Sequence, residues 1–220
     1  MPDQSQALRE AARLLEPVVQ VYDRRARKYG ACPQGVFWKN EAWQQIRFET
    51  LGAIFDDADQ AGGITIHDFG CGYGAFFHFL KDKPVMHMSR FIGTDMSQPL
   101  IDAARISTTD PRAHFVRRLQ ATETADYTFA SGTFNMSMNA NEKDWVDYVQ
   151  TSLSQLWGRT RKGLAFNMLR LDAPEKFRDL YYADANLFHD FCANNLSSDL
   201  TLTNDDPLPD WTLLVRRRRD

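Results

Sequence analysis

From residue 64 onward, short apolar stretches alternate with helix-forming ones, and this alternation restricts the chain more than any other feature. The apolar stretches fall at 64–69, 91–94, 114–116, 127–130 and 163–168. Each has the length of a strand, and each is separated from the next by enough chain for a crossover. Such spacing predicts parallel strands with helices covering both faces of one sheet. Helix starts are marked at Gly74, at Ser97 as a cap, and at Asn141, with Asp144 three residues on as in a capping box. Two further strands, 200–203 and 211–216, flank the turn-forming run at 204–209, which is short enough to make the last pair antiparallel.

Ahead of this core, residues 1–61 read as a helical extension, with residues 62–220 as the core of one overall domain. Leu8, Ala12, Leu15, Val19 and Tyr22 share a helical face, and Pro17 is expected to kink or divide that helix. Asn40 is placed to cap a second helix with a stripe of Trp43, Ile46, Thr50 and Ile54. Residues 174–195 read as one or two aromatic-rich helices. With 43% hydrophobic residues in 220, the chain can bury one substantial core. A formal charge of -3 gives no bias toward nucleic acid, and no run of residues is apolar and long enough for a membrane span. The chain therefore reads as soluble and cytoplasmic. Its three cysteines (Cys32, Cys71, Cys192) form no CxxC pair and its five histidines show no ligand spacing, so neither a disulfide framework nor a metal site is expected.

The chemistry concentrates at Asp68-Phe69-Gly70-Cys71-Gly72-Tyr73-Gly74, where the first strand meets a helix. Glycines at such a junction let backbone approach a ligand closely. Gly70-x-Gly72-x-x-Ala75 also satisfies the GxGxxA dinucleotide fingerprint, with Asp95 where a ribose-binding acid would lie. Glycine spacing alone leaves the cofactor open. Asp68 sits two residues before the first glycine, where a carboxylate repels a pyrophosphate and receives a cationic ammonium or sulfonium. The antiparallel ending points away from a dinucleotide domain as well.

These residues resemble the first motif of class I S-adenosylmethionine-dependent methyltransferases, an apolar-Asp-apolar-Gly-x-Gly-x-Gly pattern matched by residues 66–74. The resemblance implies a Rossmann-like α/β fold with a seven-stranded, mostly parallel sheet and S-adenosyl-L-methionine as cofactor. It implies that the loop of Gly70, Cys71, Gly72 and Gly74 passes under the methionine part, and that Asp95 binds the ribose hydroxyls with Met96 against adenine. Gln120 stands near the position of an adenine-contacting acid, and Ser131 and Gly132 lie where members line the transferring methyl group. Gly35-Val36-Phe37-Trp38, Gln44, Arg47, Phe48 and Leu51 resemble segments of small bacterial methyltransferases, which implies that the extension 1–61 is a cover folded over the cofactor and that Arg47 pairs with the cofactor's carboxylate.

Acceptor-pocket candidates are Trp38, Phe134, Asn135, Tyr181, Tyr182 and His189, and Tyr73 is a further aromatic near the loop. His189 reads more simply as a packing residue, and the arginines at 216–219 as a solvated strand end. The function expected is methyl transfer to a small molecule. An NAD(P)-dependent oxidoreductase and a non-catalytic methyltransferase-like binding protein are the alternatives.

Overall fold

The computed structural model describes residues 4–38, 40–204 and 207–218. Among them, seven strands form one sheet: β1 (Thr65–Phe69), β2 (Arg90–Asp95), β3 (Ala113–Arg117), β4 (Ala125–Ser131), β5 (Thr160–Leu169), β6 (Asp199–Asn204) and β7 (Asp210–Arg216). Their order is β3-β2-β1-β4-β5-β7-β6. The first five are parallel, and β7 runs antiparallel between β5 and β6. This is the Rossmann-like mixed sheet expected from the sequence.

Side chains alternate across the central strands and so divide the core in two. Phe129, Ala165 and Leu214 face a cluster built on α2 (Glu41–Gly52), α3 (Ala75–Leu80) and α4 (Gln98–Ser107). Their neighbours Ala130, Phe166 and Leu213 face the opposite cluster, built on α1 (Gln4–Tyr29), α5 (Glu142–Trp157) and α6 (Ala185–Asn195). The expected caps are formed: Asn40 accepts from Trp43 N at 2.9 Å, Ser97 from Leu100 N at 3.4 Å, and Asn141 from Lys143 N and Asp144 N at 3.0 and 3.3 Å. No described helix is long and apolar enough to cross a membrane.

Four sequence expectations are corrected. Helix α1 is not divided at Pro17. Pro17 and Arg13 are both exposed, so the Arg13 carbonyl that the proline leaves unbonded faces solvent. The face of α1 turned to the core carries Leu15, Val18 and Ala26, while Ala12 is exposed. Helix α2 buries Gln44, Arg47, Phe48 and Leu51 rather than the stripe through Trp43, Ile46 and Thr50. Residues 174–184 are not helical: this stretch crosses the strand tops through single bridges of Leu180 to Met136 and Ala183 to Arg170, and α6 begins only after Asp184 caps it.

The arginine ending is anchored rather than free. Arg216 Nη2 donates to Ala53 O at 2.9 Å, and Arg217 donates to Thr160 O and Trp157 O while lying over the Trp157 ring. Arg218 bonds Ser198 Oγ. Arg219, and Asp205 and Asp206 of the expected turn, lie outside the described residues.

At the sheet edge opposite the glycine loop, Tyr127 Oη donates to the buried Asp59 carboxylate at 2.6 Å, which Lys162 Nζ also approaches to 2.5 Å. Tyr127→Phe removes a donor from a buried anion, so we expect a loss of about 1.5–3 kcal/mol, read by urea unfolding. A change below ~0.5 kcal/mol would show that Lys162 Nζ and the Asp56 N–H satisfy Asp59 without it.

Candidate active site

A cavity of about 220 Å³ opens at the carboxyl ends of the parallel strands. Ligands bind at this position in open α/β sheets. The strand order lays its floor out as a line from Asp95 on β2, through Asp68 on β1 and Ser131 on β4, to Leu169 on β5. The roof comes from the N-terminal part: Leu15, Val18, Val19 and Tyr22 of α1, then Val36 to Trp38, then Gln44, Arg47 and Phe48 of α2. Helix α1 is fastened over the cavity by Ser97 Oγ, which donates to Asp23 Oδ1 at 2.6 Å. Tyr22 packs edge-on against Phe37 at 5.5 Å.

At the β1 end, Gly70 N and Cys71 N both donate to Thr94 O, at 2.7 and 3.0 Å, which folds the loop back over β2. Gly70 holds φ +77°, and a Cβ there would lie 2.5 Å from Thr133, so only glycine fits. Gly72 N donates to Asp95 Oδ2 at 2.9 Å and Ser97 N to Asp95 Oδ1 at 2.8 Å. Loop and acid therefore hold each other in place. Burial pushes the Asp95 carboxyl above its ordinary value, against the backbone donors of Ser97, Gly72 and Met96.

Asp68 is 3% exposed and lines the cavity, yet no hydrogen bond or ion pair from the described residues reaches its carboxylate. Burial, and secondarily the charge of Asp95, push its pKa up to about 8. Cys71 is likewise pushed well up by burial, so its thiol stays protonated and unreactive. Tyr73 lines the cavity and donates to Gln44 Oε1 at 3.1 Å.

At the β4 end, Gly132 holds φ +65° and carries the Trp38 ring so closely that a Cβ would lie 3.1 Å from it. Gly132 N donates to Asn167 Oδ1 at 2.7 Å. Ser131 Oγ is buried without a hydrogen-bond partner among the described residues. Asn135 accepts from Leu169 N at 3.0 Å through Oδ1 and lines the cavity. Beyond it, Arg47 stacks over Trp38 at 4.2 Å, donates from Nη1 to Trp43 O at 3.2 Å and pairs from Nη2 with Asp210 Oδ2 at 2.5 Å. Its Nε is buried and has no acceptor among the described residues. Arg47 thus meets a carboxylate of its own chain, Asp210, while also lining the cavity.

The structure gathers Trp38, Arg47, Asp68, Gly70, Cys71, Gly72, Asp95, Met96, Ser131, Gly132 and Asn135 around this one cavity. Gly74, Gln120, Phe134, Tyr181, Tyr182 and His189 lie outside its lining. Gly74 caps α3 and packs on Phe115. Gln120 lines a separate pocket of about 40 Å³ with Leu8, Ala11 and Gln155, and Arg118 lines the main cavity from that segment. Phe134 is fully buried, Tyr181 is 8% exposed, and both belong to the α5 side of the core. Tyr182 Oη accepts from Phe177 N at 2.8 Å, and His189 meets Asp190 at 3.3 Å with the imidazole 40% exposed. Sequence reading missed Asp210 as the partner of Arg47, and Tyr148 and Leu180 in the cavity lining. Asp210 sits at a strand start with no motif to mark it.

A dinucleotide-binding sheet follows strand order 3-2-1-4-5-6; an antiparallel β7 between β5 and β6 departs from it. The fold is instead shared with S-adenosylmethionine-dependent methyltransferases. DhpI in complex with S-adenosylhomocysteine superposes with a TM-score of 0.63 over 93% of this chain and 96% of that one, at 15% identity. Magnesium protoporphyrin IX methyltransferase (ChlM) from Synechocystis PCC 6803 with bound S-adenosylmethionine gives 0.58 over 80% of this chain and 79% of that one, at 13% identity.

No protein-family profile matches the chain. The "Putative methyltransferase Rv1506c" of Mycobacterium tuberculosis is 32% identical over 160 residues, 71% of this chain and 95% of that protein. The chain belongs to the class I S-adenosylmethionine-dependent methyltransferases.

Proposed function

We propose that this protein transfers a methyl group from S-adenosylmethionine to a small-molecule acceptor, with residues 1–61 forming a cover over the cofactor. The observation that carries the reading is Asp68, a buried carboxylate lining the cavity to which none of the described residues donates a hydrogen bond. An unpaired buried acid of this kind costs stability unless a cation completes it, and the cofactor brings an ammonium and a sulfonium. The residues present fit it: Asp68 for the positive charge, Asp95 for the ribose hydroxyls, Met96 and Leu100 for adenine, and the unpartnered Ser131 hydroxyl with Gly70, Cys71, Gly72 and Gly132 along the methionine part.

Bound S-adenosylmethionine supplies a methyl group already activated on sulfur. What the chain contributes is alignment and exclusion of water, worth roughly 7–11 kcal/mol when the reacting atoms are held in line. Asp95 can orient a ribose because its own orientation is fixed by Gly72 N and Ser97 N. Trp38 closes the β4 end, resting on Gly132 beneath and Arg47 above. Helix α1 closes the side through Leu15, Val18 and Tyr22.

Calorimetry is expected to show micromolar binding of S-adenosylmethionine and S-adenosylhomocysteine. Asp95→Ala should weaken both about a hundredfold, since it removes the ribose acceptor and releases the loop. Absence of binding at millimolar cofactor would overturn the reading.

A further inference from the structure

At the β4 and β5 end of the cavity, two primary amides have their oxygens already in use. Asn135 is held by three hydrogen bonds: its N–H donates to Gly132 O at 3.2 Å, its backbone O accepts from Tyr181 N at 2.8 Å, and its Oδ1 accepts from Leu169 N at 3.0 Å. A backbone N–H only donates, so the side-chain oxygen must face Leu169 and the Nδ2 amine is turned away from it. Nδ2 lies 3.4 Å from where a Cβ on Gly132 would stand, and no acceptor among the described residues reaches it. Gln44 repeats the pattern from α2. It is 5% exposed and lines the cavity, and Tyr73 Oη donates to its Oε1, which leaves Nε2 without an acceptor among the described residues. Asn167 divides its amide in the same way, with Oδ1 on Gly132 N, but its Nδ2 is sealed in the interior.

Around the two open amides the wall is apolar, from Trp38, Met136, Leu169 and Leu180. The neighbouring Arg47 is paired with Asp210 at 2.5 Å, so recognition at this end falls to uncharged N–H groups. Such donors in an apolar wall are costly to leave unmet and reward a ligand atom that accepts. A carbonyl oxygen accepts and brings no proton of its own. A hydroxyl accepts too, but its proton then faces amide oxygens already bonded to Leu169 and Tyr73. An ammonium sets donors against donors. A carboxylate gives up its hydration with no unpaired cation among the described residues of this end to receive it.

We propose that the methyl acceptor is an uncharged, largely apolar molecule that docks through a carbonyl oxygen, held by Asn135 Nδ2 with Gln44 Nε2 as second donor. This deepens the methyltransferase reading and rests on it. A neutral carbonyl oxygen is a poor nucleophile, so it is the handle that orients the molecule, and a neighbouring atom receives the methyl group. Asn135 and Gln44 are therefore specificity residues. The three bonds that fix Asn135 mean that its amide needs little ordering when the acceptor arrives.

The test uses the full chain saturated with S-adenosylhomocysteine and four probes of similar size and shape: acetophenone, 1-phenylethanol, 1-phenylethylamine and benzoate. By ligand-observed NMR titration near pH 7.5, acetophenone is expected to bind at least about fivefold more tightly than each of the others, the worth of roughly one hydrogen bond. Asn135→Asp keeps an oxygen for Leu169 N and replaces the open amine by a second oxygen. It should lose acetophenone about tenfold and bind 1-phenylethylamine more tightly than the wild type does, an inversion that loosened packing does not produce. Its affinity for S-adenosylhomocysteine should change less than about threefold. Gln44→Glu, which keeps an oxygen for Tyr73, should move the same two probes in the same directions by a smaller factor, and it decides the matter if Asn135→Asp does not fold. Acetophenone binding no more tightly than the alcohol, the amine or benzoate overturns the proposal, as does undiminished acetophenone binding in either folded variant. Loss of S-adenosylhomocysteine by Asn135→Asp overturns it too, by putting Asn135 on the cofactor. Failure of the wild-type protein to bind S-adenosylhomocysteine would refute the methyltransferase reading itself.

Discussion

Asp68→Asn is expected to make the ligand-free protein melt several degrees higher and to bind S-adenosylmethionine about a hundredfold more weakly. Both effects come from one carboxyl group, raised from the ordinary 3.8 to about 8 chiefly by burial and then by Asp95. Between those two values the folded chain keeps the proton that the unfolded chain releases. Stability therefore falls as pH rises from about 4 to 8, by at most ~1.4 kcal/mol per pH unit. At pH 7 the accumulated cost is on the order of 4 kcal/mol before relaxation and water entry reduce it, and an amide of equal size escapes it. At about 2–4 °C per kcal/mol for a chain of this length, a gain near 5 °C is expected by scanning calorimetry.

Binding has the opposite sign. A cationic ligand needs the ionised form, so wild-type affinity should climb as pH rises toward 8, by up to tenfold per unit, with release of about one proton near pH 7. The asparagine variant should show neither the slope nor the proton. A variant that melts lower and binds as before would remove Asp68 from the site and leave the cofactor assignment without its principal support.

Arg47→Ala carries the largest stability loss expected, about 3–5 kcal/mol, because it strands a carboxylate whose side chain is fully buried. Burial already pushes Asp210 upward, opposed by Arg47 and Arg170, so removing Arg47 leaves the opposing side weakened. The change also takes away the group stacked on Trp38, at 4.2 Å from its ring. Replacing both partners together, as Arg47→Met with Asp210→Leu, is expected to restore most of the stability, since apolar pairs often match a buried ion pair. Activity should not return with it. Urea unfolding separates the two variants, and a loss under ~1 kcal/mol in Arg47→Ala would show that the pair contributes little to holding α2 on β7.

The parts of the site that were legible in the sequence are those made by consecutive residues. Asp68 to Gly72, Asp95 with Met96, and Ser131 with Gly132 each sit at the end of one apolar strand, and parallel strands bring their carboxyl ends to one edge without further information. The expected α2 stripe failed because a hydrophobic pattern assumes that polar residues face water. Gln44 and Arg47 are buried for the opposite reason: Tyr73 and Asp210 satisfy them inside. Tyr181, Tyr182 and His189 were expected near the acceptor because they follow the fifth strand. That segment instead crosses the strand tops through two isolated bridges, so its aromatics turn into the core or out to the surface.

By itself, then, the sequence determined the order of elements, the parallel sheet with its antiparallel last strand, the glycine loop and its two acids. These depend on periodicity, capping and the φ values only glycine takes up readily, all of which act within a few residues. The tertiary structure alone decided that Arg47 meets Asp210, 163 residues away, which side chains of α1 line the cavity, and that none of the described residues donates to the Asp68 carboxylate. Ion pairing and desolvation depend on which distant groups share a low-dielectric space, and no local pattern records that.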